Sequence, residues 1–218
     1  MLFLQRIPRL VRWIVSVLLL FLLLMTLGRF IIFWKFNPPG KAFSGSAFIM
    51  GLRFDARVVC VIGLLMLLLC AIPYINPFKN SRAKTFWNIL LPVLFLLMIL
   101  VLAIDYYHFD YLHQRLNATV LNYLQDAGIS FSMMWQSYPL PWIGLALILA
   151  FLLGRLLFSR LLARYMEQES FYKRKARLLY VLTFLVLGGF IFGKIGQFPL
   201  RWSDAYTLSD DFKANLAL

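Results

Sequence analysis

Charged residues are scarce in this 218-residue chain, at 14% of the total, against about 25% in typical soluble domains. Acidic residues are scarcer still: the chain has nine Asp and Glu against 22 Lys and Arg, which gives a net charge of +13. Hydrophobic residues make up 62% of the chain, which excludes an ordinary water-soluble domain. The basic residues follow the loops and do not form one face, so we expect no nucleic-acid partner.

Cysteine and histidine are also rare, with two of each. Cys60 and Cys70 lie about 15 Å apart along a helix, which is too far for a disulfide bond. His108 and His113 lie roughly 140° apart around a helix axis, and the chain has no His-Glu-x-x-His motif. Asp105 and His108 could converge on one helix face, but two such residues are a weak signal, and we expect no metal site in this chain.

Long apolar runs are what the chain does contain. A hydrocarbon core of about 30 Å requires roughly 20 helical residues, because a backbone in lipid must satisfy its own hydrogen bonds. The last of five runs is short, and Arg177 and Lys194 would extend their charges toward the two interfaces. We predict an all-α integral membrane protein in which residues 1–196 form a bundle of five transmembrane helices. The predicted spans are 13–34, 56–75, 86–106, 140–158 and 177–194.

Basic residues alternate between rich and poor segments along the chain. If the amino terminus is inside the cell, 13 of the 22 basic residues lie inside, whereas seven of the nine acidic residues lie outside. The bias of Lys and Arg toward cytoplasmic loops therefore predicts a cytoplasmic amino terminus and an extracytoplasmic carboxyl terminus. The basic residues predicted inside are Arg6, Arg9, Arg12, Lys79, Arg82, Lys84, Arg155, Arg160, Arg164, Lys173, Arg174, Lys175 and Arg177.

The predicted second span opens with the sequence Arg53-Phe54-Asp55-Ala56-Arg57. Asp55 just before a helix could cap its first free N–H groups. Arg53 and Arg57 are four residues apart and would share a helix face if the helix began early enough. Two guanidinium groups could then hold a lipid phosphate, and the alternative is non-specific contact with lipid headgroups.

A second polar region follows the third span. Apolar residues recur every three or four positions through 105–128, which predicts an amphipathic outer helix. Asp105, His108 and Arg115 fall on its polar face. That face is either a headgroup-binding surface or part of an aromatic belt at the membrane interface.

The last part of the chain contributes two further features. Gly189 and Gly193 form a Gly-x-x-x-Gly pattern, which lets two helices approach closely, within the bundle or in a dimer. Residues 197–218 are polar enough to leave the membrane, and Arg201 lies among them. We expect this stretch to be an extracytoplasmic segment that leads to a further domain.

The order of these parts resembles a known family. The chain is similar to the amino-terminal membrane part of lipoteichoic acid synthase-like phosphoglycerol transferases. The features that carry this resemblance are the five spans, Arg53-Phe54-Asp55 at the second, a Tyr-rich segment after the third, and 198–205 (FPLRWSDA) after the fifth. These enzymes belong to the sulfatase superfamily. The resemblance implies a bacterial plasma membrane, a phospholipid substrate, and an extracytoplasmic α/β catalytic domain that holds a divalent metal, manganese. No segment of this chain matches that domain, so no catalytic residue or cofactor is assigned here.

The resemblance implies a membrane module of a phosphoglycerol or phosphoethanolamine transferase. It would anchor the catalytic domain and help to present a phospholipid headgroup. Arg53, Arg57 and Arg115 would contact phosphate, and the residues that would shape the site or dock the domain are Asp55, Asp105, His108 and Arg201. The rival hypotheses are a non-enzymatic scaffold that uses the Gly-x-x-x-Gly face and the basic cytosolic loop and, less favoured, a small transporter. The oligomeric state stays open.

Overall fold

The computed structural model describes residues 7–37, 45–113, 115, 140–167, 176–194 and 196–207. Across these ranges, all regular structure is helical. The α-helices are α1 (Arg9–Phe36), α2 (Gly45–Ala71), α3 (Ser81–Leu112), α4 (Leu140–Met166) and α5 (Ala176–Phe192), and the 3-10 helix η1 (Trp202–Thr207) follows them.

Four of these helices are long and apolar enough to cross a membrane. The helices α1 to α4 contain 28, 27, 32 and 27 residues, or about 40–48 Å at 1.5 Å per residue. The helix α5 has 17 residues, about 25 Å, and is shorter than a typical span. Large side chains such as Leu19, Leu23 and Leu27 are exposed on the bundle surface, where lipid can solvate them. The chain is therefore a multi-pass membrane protein.

The helix α1 occupies the centre of the bundle. It packs against α2, α3 and α4, while α4 also packs on α3 and α5 packs on α2. Trp13, Ile14, Val17 and Phe21 of α1 are completely buried. The ring of Phe21 lies 5.7 Å from that of Phe158 on α4. A helix with neighbours on several sides must be apolar over much of its surface, and the uninterrupted Leu and Phe run of α1 meets that requirement.

One end of the bundle, which we call the Trp13 end, combines aromatic rings with arginines. Trp13 contacts Phe78 edge-on with ring centroids 5.9 Å apart. The guanidinium of Arg9 lies 5.0 Å from the centroid of Phe78, and that of Arg12 lies 5.9 Å from the centroid of Tyr165 on α4. The start of α1, the turn after α2 and the end of α4 thus meet at one end, in agreement with the alternation of basic segments.

The short turn between α2 and α3 satisfies its own polar groups. Asn76 is buried, and its Nδ2 donates to the carbonyl of Cys70 at 2.9 Å while its Oδ1 accepts from the N–H of Phe78 at 2.9 Å. The indole Nε1 of Trp87 donates to the carbonyl of Ile75 at 2.8 Å. Because lipid offers no hydrogen bonds, these side chains replace the partners that water would supply.

The helix α2 begins at Gly45, well before the predicted start at 56. Asp55 therefore lies inside the helix, and the interpretation of Asp55 as a helix cap is wrong. The early turns of α2 form because they have something to pack against: Ala47 is fully buried in a cluster with Ile32 of α1 and Phe109 of α3. This tertiary contact extends the helix beyond the apolar run seen in the sequence.

The helix α3 extends beyond its predicted span to Leu112. The Tyr-rich residues 105–112 are therefore a continuation of α3. His113 caps the end of the helix: it adopts the left-handed conformation with φ 55° and donates its N–H to the carbonyl of Phe109 at 2.9 Å. Apart from Arg115, the rest of the predicted amphipathic helix, to residue 128, lies outside the described residues.

Replacing Trp87 by Phe should destabilise the bundle. Trp87 is 1% exposed, and the change deprives the carbonyl of Ile75 of its donor, which costs about 1–3 kcal/mol at a buried site. Trp142→Phe removes the same atoms from a side chain that is 68% exposed, and it should leave stability nearly unchanged. Thermal unfolding in detergent, followed by circular dichroism, measures both. Equal midpoints for the two variants would contradict this account of the turn.

Candidate functional site

A buried ion pair joins α1 to α2 at the opposite end of the bundle, which we call the Arg29 end. Nη2 of Arg29 donates to Oδ1 of Asp55 at 2.8 Å, and Nε of Arg29 donates to Oδ2 at 3.3 Å. The two residues are 3% and 4% exposed. Nη2 of Arg29 also donates to the carbonyl of Gly51 at 3.3 Å. This two-pronged geometry compensates both charges in a place where neither could remain alone.

Gly51 makes room for this pair. A Cβ at Gly51 would collide with the guanidinium of Arg29. Gly51 and Asp55 are four residues apart, so they lie one above the other on the same face of α2. The helix thus supplies a carbonyl oxygen, a carboxylate and an empty space to one arginine of α1.

A second ion pair connects α3 with the residues that follow it. Nε of Arg115 lies 2.7 Å from Oδ2 of Asp105. Burial lowers the pKa of Arg115, the charge of Asp105 opposes that effect, and the charges of Arg29 and Asp55 also act on Arg115. We call these four residues the charge quartet. Two arginines and two aspartates give it no net formal charge.

The charge quartet lies near one membrane boundary. At 1.5 Å per residue, Arg29, Asp55 and Asp105 lie about 30, 24 and 36 Å along their helices from the Trp13 end. A hydrocarbon core is about 30 Å thick. The buried charges therefore lie close to headgroup depth and not in the middle of the bilayer, where their burial would cost more.

The chain that follows α5 folds back onto α2. Nη1 of Arg57 donates to the carbonyl of Leu200 at 2.7 Å, and the N–H of Leu200 donates to the carbonyl of Phe192 at 2.8 Å. Leu200 is 2% exposed. Gly193 is required at this turn, because its φ is +81° and an added Cβ would lie 2.9 Å from the Cβ of Leu200. Residues 196–207 are thus held against the Arg29 end.

A further ion pair holds this returning segment in shape. Nζ of Lys194 donates to Oδ1 of Asp204 at 2.8 Å, and the backbone N–H of Arg201 donates to Oδ2 of Asp204 at 2.7 Å. The Arg201 N–H and the Lys194 ammonium hold the pKa of Asp204 below its usual value. The guanidinium of Arg201 lies 4.6 Å from the ring centroid of Phe198. Asp204 therefore joins two parts of the segment, because it binds the side chain of Lys194 and the backbone of Arg201.

A groove of about 580 Å³ runs between α2 and α5 beside this segment. We call it the α2–α5 groove. Its walls are apolar except for Arg53 and Lys194. Arg53 is exposed and forms no ion pair within the described part of the chain. The lining residues are Leu52, Arg53, Ala56, Val186, Gly189, Phe190, Phe192, Gly193 and Lys194.

The structure divides six of the seven predicted site residues among three places. Asp55, Asp105 and Arg115 belong to the charge quartet, Arg57 and Arg201 belong to the returning segment or its contact with α2, and Arg53 lines the groove. His108 is half-buried on α3, three residues after Asp105.

Sequence reasoning missed Arg29. The signal for it was present, since Arg29 is the only ionisable residue between 13 and 34. A charged residue inside a membrane span is by default a candidate for function.

These residues offer the chemistry of anion binding beside an apolar surface. Among the described residues, no group of three or more His, Cys, Asp or Glu side chains could hold a metal ion. In comparisons with known proteins, no family model, no curated protein and no solved structure matches this chain. Function is therefore inferred from the contacts themselves.

Neutralising one partner of the buried ion pair should lower the free energy of unfolding more than replacing both partners. Asp55→Asn leaves the charge of Arg29 buried without its counter-charge, which costs about 3–5 kcal/mol. The double variant Arg29→Met, Asp55→Leu replaces both partners by apolar groups and should lose less. Chemical unfolding in detergent gives both values. A double variant that is less stable than Asp55→Asn would contradict the burial of the pair in an apolar site.

The returning segment should loosen in acid. The lowered pKa of Asp204 means that its contacts favour the ionised form, so their contribution holds above the ordinary carboxyl pKa and is lost as pH falls through the lowered one. A nitroxide at Ser203→Cys, with Cys60 and Cys70 replaced by Ala, should become more mobile over that range. Asp204→Asn should show high mobility at every pH. A transition centred above the ordinary carboxyl pKa would contradict this assignment.

Proposed function

We propose that this chain is the membrane module of a lipoteichoic acid synthase-like phosphoglycerol or phosphoethanolamine transferase. It anchors an extracytoplasmic catalytic domain and presents the headgroup of an anionic phospholipid to it. One observation carries the proposal: a cationic groove open to lipid lies directly beside the point where the chain returns onto the bundle. A lipid headgroup and the chain that leads away from the membrane are thereby brought together.

The proposal places the Arg29 end outside a bacterial plasma membrane and the Trp13 end in the cytoplasm. The basic segments of the Trp13 end support this orientation. It also requires α5 to be a fifth span. With Arg177 near one end and Lys194 beyond the other, α5 can cover a core of about 30 Å by snorkelling of both side chains and slight thinning of the bilayer.

Arg53 is the residue best placed to receive the phosphate. Its exposed guanidinium can offer two parallel N–H donors to phosphate oxygens, and Lys194 adds a point charge on the same groove. Arg57 has another role, because its Nη1 is committed to the carbonyl of Leu200. The charge quartet fixes the ends of α1, α2 and α3 against one another and so positions Arg53 without binding lipid itself.

The returning segment supports the anchoring role. Residues 196–207 are tied to the bundle by Arg57 and tied internally by Asp204, so a domain that follows would start from a fixed position. The resemblance implies a divalent metal, manganese, in such a domain. The proposal assigns no metal ligand to the described residues, and it gives this module the presentation of lipid and the positioning of that domain.

A scaffold function is the second candidate. A Cβ at Gly188 or Gly189 of α5 would meet no atom within 4 Å. Small residues with open space in front of them let a second helix approach closely. The two candidates differ in what occupies this face: a lipid in the transferase module, and another protein helix in the scaffold.

Arg53→Gln should weaken binding of anionic lipid to the purified protein. Loss of a charge-assisted hydrogen bond of about 1.5–3 kcal/mol lowers affinity roughly tenfold or more. Native mass spectrometry with dioleoyl-phosphatidylglycerol measures the bound fraction, and dioleoyl-phosphatidylcholine tests the preference for anionic lipid. Arg82→Gln, a neutralised exposed arginine at the Trp13 end, is the matched control. Unchanged binding in Arg53→Gln would contradict the proposed role of Arg53.

The transferase itself is tested by turnover in membranes that contain the full-length protein. Arg53→Gln should slow the consumption of phosphatidylglycerol while cleavage of a soluble phosphodiester continues, because the change affects presentation of lipid and not chemistry. Equal loss of both activities would argue against a presenting role. Absence of lipid consumption together with stable self-association would favour the scaffold.

A further inference from the structure

The α2–α5 groove has the dimensions and the access of a lipid site. Its volume of about 580 Å³ falls within the range of about 300–1,000 Å³ that ligand pockets occupy. Leu52, Val186 and Phe190 along it are 42%, 48% and 55% exposed, so the groove opens sideways onto the surface that faces lipid. A molecule from the bilayer can enter it without crossing water.

The two charges of the groove lie toward one end. The end of α5 lies beside Leu52, Arg53 and Ala56 in the first half of α2. Tyr180, near the start of α5, packs against the core cluster that contains Cys70 at the end of α2, so the two helices run antiparallel. Arg53 and Lys194 therefore both lie toward the Arg29 end, and the groove is apolar beyond them. A complementary ligand has an anionic group at one end and a long apolar body. A free phosphate would leave the apolar walls uncovered.

Gly189 keeps this groove open along α5. It lines the groove, yet a Cβ added there would meet no atom within 4 Å. Gly188 is equally unobstructed but does not belong to the lining. Each glycine costs about 1 kcal/mol relative to Ala inside a helix. At Gly189 the missing side chain leaves space that a ligand can fill.

We propose that the α2–α5 groove holds one acyl chain of an anionic glycerophospholipid, which passes Gly189 and leaves its phosphate at Arg53 and Lys194. The inference deepens the proposed function and rests on it, because it gives a place to the lipid whose headgroup that function presents. Lys194 carries three N–H donors, so it can donate to a phosphate oxygen and keep Asp204 as its partner. The bound lipid then contacts the returning segment through one shared cation.

The test fills the groove and leaves its charges in place. Gly189→Phe should reduce retention of dioleoyl-phosphatidylglycerol roughly tenfold or more in native mass spectrometry, because the ring takes the volume of several methylenes. Gly188→Phe adds the same side chain outside the groove and should bind as the wild type does. If Gly189→Phe unfolds at a different temperature from Gly188→Phe, its loss of lipid could reflect lost stability. Val186→Phe, which narrows the groove from another position, then takes its place in the test.

A labelled lipid locates the chain directly. Phosphatidylglycerol with a diazirine in one acyl chain, added in equal amount to the detergent-solubilised protein, should cross-link mainly to residues 186–192. Full retention in both groove-filling variants, or cross-links confined to the exposed face of α4, would overturn the inference.

The outcomes separate this inference from the function on which it rests. If Arg53→Gln loses anionic lipid while the groove-filling variants keep it, the headgroup role stands and the acyl-chain site is wrong. If Arg53→Gln also keeps the lipid, both proposals fail. If the protein is a dimer that dissociates in Gly189→Phe and not in Gly188→Phe, a second copy occupies the groove and the lipid assignment is overturned.

Discussion

The Arg29 end of this protein depends on one ion pair between two helices. Arg29 and Asp55 are almost completely buried and lie 2.8 Å apart, so the surrounding helices exclude any other group that could compensate either charge. Each residue can be buried only because the other is present. The pair therefore fixes α2 against α1 in one register, with Gly51 leaving the space for the guanidinium. The early turns of α2 and their packing on Ile32 and Phe109 follow from that register.

The five residues from Arg53 to Arg57 show how one helix serves three purposes. At 100° per residue, Asp55 lies about 200° from Arg53, whereas Arg57 lies only about 40° from it. Asp55 therefore faces the interior and α1, while the two arginines face α5. Arg57 uses that side to hold Leu200, and Arg53 lies one turn away on the groove. The same short sequence joins the bundle core, the returning chain and the surface that meets lipid.

The helices were largely predictable from the sequence, and their partners were not. The apolar runs identify α1, α3 and α4 because a membrane requires about 20 consecutive apolar residues of any spanning helix. The start of α2 was misplaced because its first turns are stabilised by Ala47 packing against other helices, which no local pattern records. The sequence predicts that Arg53 contacts phosphate, and the structure places Arg53 on the wall of the groove; the contact itself stays a prediction. The pairing of Arg29 with Asp55, and the use of Arg57 as a donor to Leu200, depend on the register between helices and could not be read from spacing along one of them.

The buried charged residues form a neutral group, and the excess positive charge of the described residues lies outside that group. The charge quartet is neutral, and each arginine in it forms an ion pair with a carboxylate. The other basic residues of the described ranges are exposed or half-buried. Lys194 is satisfied only in part by Asp204, because one carboxylate oxygen uses one of its three donors. Arg53 lies beside it on a wall that is otherwise apolar. An anionic lipid meets both conditions of this groove at once, since its phosphate matches the two cations and its acyl chain covers the surface that water would leave exposed.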